Sequence, residues 1–122
     1  MSNTEAARGF DLDEFRRSIE ERDSAGLRAL YAEDAEIRLI DQNNPPSHPL
    51  VLRGRDQIGA YLDDVCGREM THEIQHAVTD GVTVNFFESC RYPDGTRVLC
   101  AATLDLADGR IVRETGVQAW DQ

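Results

Sequence analysis

Three Asp-Gly pairs, Asp80-Gly81, Asp94-Gly95 and Asp108-Gly109, divide the second half of the chain into four β-compatible runs. Asp-Gly supplies the positive φ angles that tight hairpin turns require. The pairs therefore predict an antiparallel meander with strands over about 70–79, 82–92, 96–106 and 110–120. The first half carries a different period. Asp11 followed by Glu14 has the form of a capping box, and Leu12, Phe15 and Ile19 recur at helical spacing, which predicts a helix to about Arg22. Asp23 can cap a second helix carrying Leu27, Leu30 and Tyr31. From Ala35, alternation of Ile37, Leu39 and Asp41 with Glu36, Arg38 and Ile40 predicts a strand, stopped by Asn43-Asn44-Pro45-Pro46. His48 to Arg53 reads as a short returning strand. Gly54 opens a third helix, with Ile58, Tyr61, Leu62 and Val65 on one face and Gly67 as its stop. Helices grouped first and strands last predict an α+β fold: a strongly curved sheet wrapped around three helices, with a cavity at its open end.

The chain's 122 residues suit a single domain, expected over 11–122 behind a flexible arm at 1–10. A net charge of −10 without a long basic cluster argues against nucleic acid and anionic membrane as partners. All 13 basic residues are arginine, which excludes Schiff-base chemistry, pyridoxal phosphate anchoring and a P-loop lysine, and matches the composition of a GC-rich bacterial genome. The start, MSNTEAARGF, lacks the basic end and apolar stretch of a secretory signal, so the cytoplasm is the expected address. Cys66, Cys90 and Cys100 are odd in number and lack metal-type spacing, and read as reduced, buried thiols.

His72-Glu73-Ile74-Gln75-His76 spells the zincin string H-E-x-x-H. Only on a helix do residues four apart rise about 6 Å and share a metal; on a strand they stand about 13 Å apart. The Asp80-Gly81 turn signal that follows favours a strand, so neither a metal nor any other cofactor is expected. As a strand, Met70, His72, Ile74, His76 and Val78 share one face. Val84, Phe86, Glu88 and Cys90 alternate on the next, then Val98, Cys100, Ala102 and Leu104, then Glu114, Gly116, Gln118 and Trp120. If these faces are the inner ones, Glu88 and Glu114 are carboxylates in an apolar wall, where desolvation raises the pKa toward neutrality; outward, they would pair with Arg91 or Arg113. Tyr31 and Tyr61 offer apolar rings with a hydroxyl handle. No nucleophile elbow and no glycine-rich phosphate cradle is present.

The stretches Arg22 to Ala35 (RDSAGLRALYAEDA), Leu52 to Ile58 (LRGRDQI) and Gln118 to Asp121 (QAWD), in the element order α-α-β-α-β-β-β-β, resemble the SnoaL-like branch of the superfamily that includes nuclear transport factor 2 and the ketosteroid isomerases. The resemblance implies a cystatin-like cone with a deep, mostly apolar pocket and a homodimer formed through the outer sheet face. Isomerases of the family use a Tyr on the first helix, an Asp on the first strand and a protonated Asp on the penultimate strand. These positions fall near Phe15, Leu39 and Ala102, so neither that base nor those oxyanion donors are present. Asp41, two residues past Leu39, is the nearby substitute base. Relatives often carry a His directed into the cavity near His72, which makes it the first acid/base candidate, with Asp41, Glu88 or Glu114 as partner. Phe15, Tyr31, Leu39, Tyr61, Phe86, Ala102, Gln118 and Trp120 are the expected ligand-binding walls. Two functions stay open: a cofactor-independent isomerase, cyclase or dehydratase acting on a small apolar molecule, or a noncatalytic binding or dimerisation module.

Overall fold

The computed structural model describes residues 9–121. The chain runs α1 (Leu12–Glu20), α2 (Ser24–Ala29), β1 (Tyr31–Ile40), β2 (Leu50–Arg53), α3 (Gly54–Cys66), β3 (Thr71–Thr79), β4 (Thr83–Arg91), β5 (Arg97–Ala107) and β6 (Arg110–Trp120). The strands form one curved six-stranded sheet in the order β2-β1-β6-β5-β4-β3, antiparallel except for the parallel pair β1–β6. Of the arm expected over 1–10, residues 1–8 lie outside the described residues. Phe10, at its end, packs on Phe15 with ring centroids 5.8 Å apart.

Both predicted caps form. Asp11 accepts from the Glu14 N–H at 3.0 Å and Asp23 from the Gly26 N–H at 2.9 Å, supplying acceptors for amides the first helical turn leaves unpaired. The Glu14 side chain turns instead to Arg17, which also pairs with Glu21 and Asp23. Tyr31 is a correction: it begins β1 and does not extend α2. Its carbonyl accepts from the Arg55 guanidinium, and it lies opposite Ile111 of β6, so tertiary pairing overrides the helical spacing of Leu27, Leu30 and Tyr31. Gly67 ends α3 with φ −80°, outside the left-handed region. Its lack of a side chain serves close approach, since a Cβ there would lie 3.0 Å from the Asp63 carbonyl.

Of the three Asp-Gly turns, only Asp108-Gly109 has both residues at positive φ, 53° and 75°. In the other two the glycine alone turns left-handed, and the Asp carboxylate accepts backbone N–H groups from Val82 and Thr83, or from Thr96. The inner faces of β4 and β5 follow the predicted alternation, and so does β6 from Glu114 to Trp120; nearer its start the register with β5 shifts at Val112, which turns Ile111 inward. These faces bury Val84, Leu104 and Ile111 completely against Phe15, Leu27, Ile37 and Ile58, making one core between helices and sheet.

β3 departs from its predicted face midway. His76 adopts φ 55° and the register with β4 breaks between Gln75 and Val78. This bulge reverses the alternation. Met70, His72 and Ile74 are buried, while His76 stands edge-on to the exposed Phe87 at 6.0 Å and Val78 is exposed. His72 and His76 thus sit on a strand and point to opposite faces, and the H-E-x-x-H string does not chelate one ion.

Candidate active site

The helices close one side of the curved sheet but leave a cavity of about 430 Å³ between α1, α3 and the inner faces of β1 and β3–β6. Phe15 from α1, Tyr31 and Leu39 from β1, Tyr61 from α3, Phe86 from β4, and Gln118 and Trp120 from β6 line it, as expected from the sequence. Ala102 does not. It lies opposite Phe86 and is buried in the core, outside the lining.

Among the polar groups on its walls, two hydrogen-bonded pairs stand out. His72 on β3 and Glu88 on β4 are brought together by the strand register, which sets Glu88 one inward position from Cys90, the direct partner of His72. His72 Nδ1 lies 2.8 Å from Glu88 Oε2, and the His72 side chain is only 4 % exposed. Its other ring nitrogen has no hydrogen-bond partner among the described residues. In the second pair, the Tyr31 hydroxyl donates to Glu114 Oε1 at 2.5 Å. Eighty-three positions separate the two in sequence; the parallel β1–β6 pairing joins them. Asp41 also borders the cavity, just past the end of β1, but its Oδ1 accepts from the Asn43 N–H and the Asn44 side-chain amide. It holds the turn that follows β1.

Burial pushes the Glu114 carboxyl from 4.5 up to about 7, with the Glu88 charge adding to the rise and the Tyr31 hydrogen bond opposing it. Burial also pushes the Tyr31 and Tyr61 hydroxyls up, reinforced by Glu114, so both remain protonated donors. The three cysteines, all free, border the cavity. Desolvation raises every one, the Cys100 thiol to about 12, which leaves them un-ionised near neutrality and poor nucleophiles.

Sequence reasoning assigned no cavity role to Arg68, Tyr92 or the Tyr31–Glu114 bond. Arg68 donates to Tyr92 Oη at 3.0 Å and to Asp64 at 2.6 Å, and Tyr92 stacks on Trp120 at 5.9 Å, so all three rim residues hold one another. Their local signals were weak: Arg68 follows a helix stop and Tyr92 precedes a turn. Cys90 was legible as inward from strand alternation, though not as a neighbour of His72.

The family described as SnoaL-like domain matches residues 12–114. No curated protein matches. Among solved structures, an NTF2-like protein of unknown function from Mesorhizobium loti is similar with TM-score 0.76 and 19% identity over 97% of this chain and 93% of that one. An uncharacterized bacterial protein with a cystatin-like fold from Silicibacter pomeroyi gives TM-score 0.70 and 18% identity over 88% and 72%. The epoxide hydrolase/cyclase-like enzyme SalBIII, described for pyran ring formation in the polyether salinomycin, gives 0.68 and 22% over 88% and 87%. At these identities the likeness is one of fold.

Proposed function

The chain belongs to the SnoaL-like domain family, and we propose that its cavity is a cofactor-independent acid/base site for a small, neutral, mostly apolar molecule, carrying out an isomerisation, cyclisation or dehydration. The observation that carries this reading is Glu114: a carboxyl hydrogen-bonded by Tyr31 in a desolvated wall, with its pKa raised to about 7. At that value both its acid and its base form are populated at neutral pH, which is what reversible proton transfer needs. His72, oriented by Glu88, is the second proton-transfer group on the same cavity. Tyr61, Phe86 and Trp120 provide the apolar walls, and about 430 Å³ accommodates a small organic molecule. Glu88 and Glu114 on these walls disfavour an anionic ligand beside them.

A homodimer through the outer sheet face goes with this reading. Phe87, Leu99 and Val117 expose 41 %, 46 % and 49 % of their surface on neighbouring strands β4, β5 and β6, an apolar face that a second copy would cover. Three free thiols fit a reducing compartment such as the cytoplasm, and no helix among the described residues is long and apolar enough to cross a membrane.

Trp120 is the sole tryptophan and lines the cavity, so its fluorescence reports occupancy directly. Small cyclic ketones, lactones and epoxides are expected to change it saturably and to be turned over, with turnover lost in Glu114→Gln and reduced in His72→Ala. A noncatalytic binding module is favoured by the apolar residues at the family's isomerase positions, Phe15, Leu39 and Ala102. Saturable binding without turnover of any of these classes would select it.

A further inference from the structure

We propose that His72, Glu88 and Cys90 form a binding site for a divalent transition-metal cation of the zinc class, with one coordination position left open to the cavity. Three different donor atoms meet here. His72 Nδ1 lies 2.8 Å from Glu88 Oε2 and 3.3 Å from Cys90 Sγ, and Cys90 Sγ lies 3.3 Å from Glu88 Oε2. A ring nitrogen is either donor or acceptor, so ordinary two-centre hydrogen bonds close only two edges of this triangle. A cation at its centre satisfies all three.

The dimensions suit such an ion. Bonds of about 2.0–2.3 Å in a tetrahedral zinc site hold the donors roughly 3.4–3.6 Å apart, so each edge opens by only about 0.2–0.6 Å from its present length. Side-chain rotation can supply that change while the backbone stays paired: His72 and Cys90 are direct partners across β3 and β4, and Glu88 is the next inward residue on β4. Donors on paired strands are held more tightly than donors on loops. Nitrogen, carboxylate oxygen and sulfur together form a borderline-soft set, suited to zinc, cobalt or iron(II) and poorly to magnesium or calcium. Carboxylate and thiolate together neutralise a divalent charge, which lowers the cost of burying the ion. On binding, the three protein atoms replace waters of the aqua ion, the Cys90 thiol proton passes to solvent, and no electron is transferred. Water or a ligand atom in the cavity fills the remaining position, an arrangement of three protein ligands and one open place typical of catalytic zinc.

The cation takes up lone pairs that His72 and Glu88 would use in proton transfer, so its binding is read without substrate. The metal site therefore competes with the proton-transfer role proposed for His72 and leaves that of Glu114 untouched, so the cobalt titration and the Glu114→Gln turnover measurement fail separately. The test is titration of the reduced, untagged protein with Co²⁺, followed by absorption. The expected result is tetrahedral cobalt bands with a thiolate-to-cobalt charge-transfer band, bleached by Zn²⁺. Cys90→Ser should remove the charge-transfer band, and Glu88→Gln and His72→Ala should weaken binding by about 10-fold or more. Cys66→Ser and Cys100→Ser should retain the band. Circular dichroism confirms each variant's fold; if Cys90→Ser does not fold, Glu88→Gln, close in shape to the parent, carries the test. Absence of a charge-transfer band in the parent protein overturns the proposal. So does a band that survives Cys90→Ser, one that depends on Cys66 or Cys100, or binding unchanged by Glu88→Gln.

Discussion

Glu114→Gln removes the carboxyl that distinguishes this cavity from plain packing, and its effect on stability can be worked out in sign and size. A carboxyl raised from 4.5 to about 7 in the folded protein holds a proton there that the unfolded chain releases. Folding stability therefore falls as pH rises from about 4.5 to about 7, and the contribution present below that window is gone above it. At about 1.4 kcal/mol per pH unit the full change is about 3 kcal/mol. Glu114 keeps partial exposure, so water reduces the figure to about 2–3 kcal/mol. Glutamine keeps an acceptor for the Tyr31 hydroxyl and does not titrate. Urea unfolding of both proteins from pH 4.5 to 8 isolates the effect in their difference. Carboxylates remote from Glu114, including Asp23, Asp80 and Asp94, whose pKa values are lowered by hydrogen bonds, cancel in that difference. The variant should gain about 2–3 kcal/mol relative to the parent across this range, or roughly 10 °C in Tm. A difference flat to within about 0.5 kcal/mol, or one of opposite slope, refutes the reasoning.

Tyr31→Phe leaves Glu114 without its donor, so the carboxyl should titrate above 7, and stability at neutral pH should drop by about 1–2 kcal/mol. The same unfolding series measures both. Replacing Leu99 and Val117 together by Asp puts charge on the outer sheet face without touching the cavity. Sedimentation should show the parent at about twice 13.7 kDa and the variant at 13.7 kDa, both folded; a monomeric parent at micromolar concentration removes the dimer.

Much of this architecture is local chemistry. The three Asp-Gly turns and the alternation through Val84, Phe86, Glu88 and Cys90 were enough to give four strands and the inner faces of β4 and β5, because a half-buried strand records its burial at every second residue. What escaped was set by contacts distant in sequence. Tyr31 continues the helical spacing of Leu27, and only its place opposite Ile111 makes it a strand residue. The bulge at His76 carries no glycine to announce it, yet it decides that His72 and His76 face opposite ways. His72 and Glu88 were each legible as inward candidates, and only the β3–β4 register sets them 2.8 Å apart. From its strand alone Glu114 was legible either as an inward, desolvated carboxylate or as an outward partner of Arg113, and its Tyr31 partner required the parallel β1–β6 pairing. Ala102, assigned to the cavity by family position, is core because a side chain of that size opposite Phe86 fills the layer beneath the lining.

The acid/base account is tested most directly by hydrogen–deuterium exchange at the carbons beside the carbonyl of a small cyclic ketone, followed by proton NMR in D₂O from pH 5 to 9. Trp120 fluorescence verifies in parallel that the ketone occupies the cavity. The account predicts exchange faster than in buffer alone, with a pH profile turning near 7, where Glu114 titrates. Glu114→Gln should lower the rate by about 100-fold or more while binding persists. A bound ketone whose exchange is no faster than in buffer, or a Glu114→Gln variant as active as the parent, would contradict it.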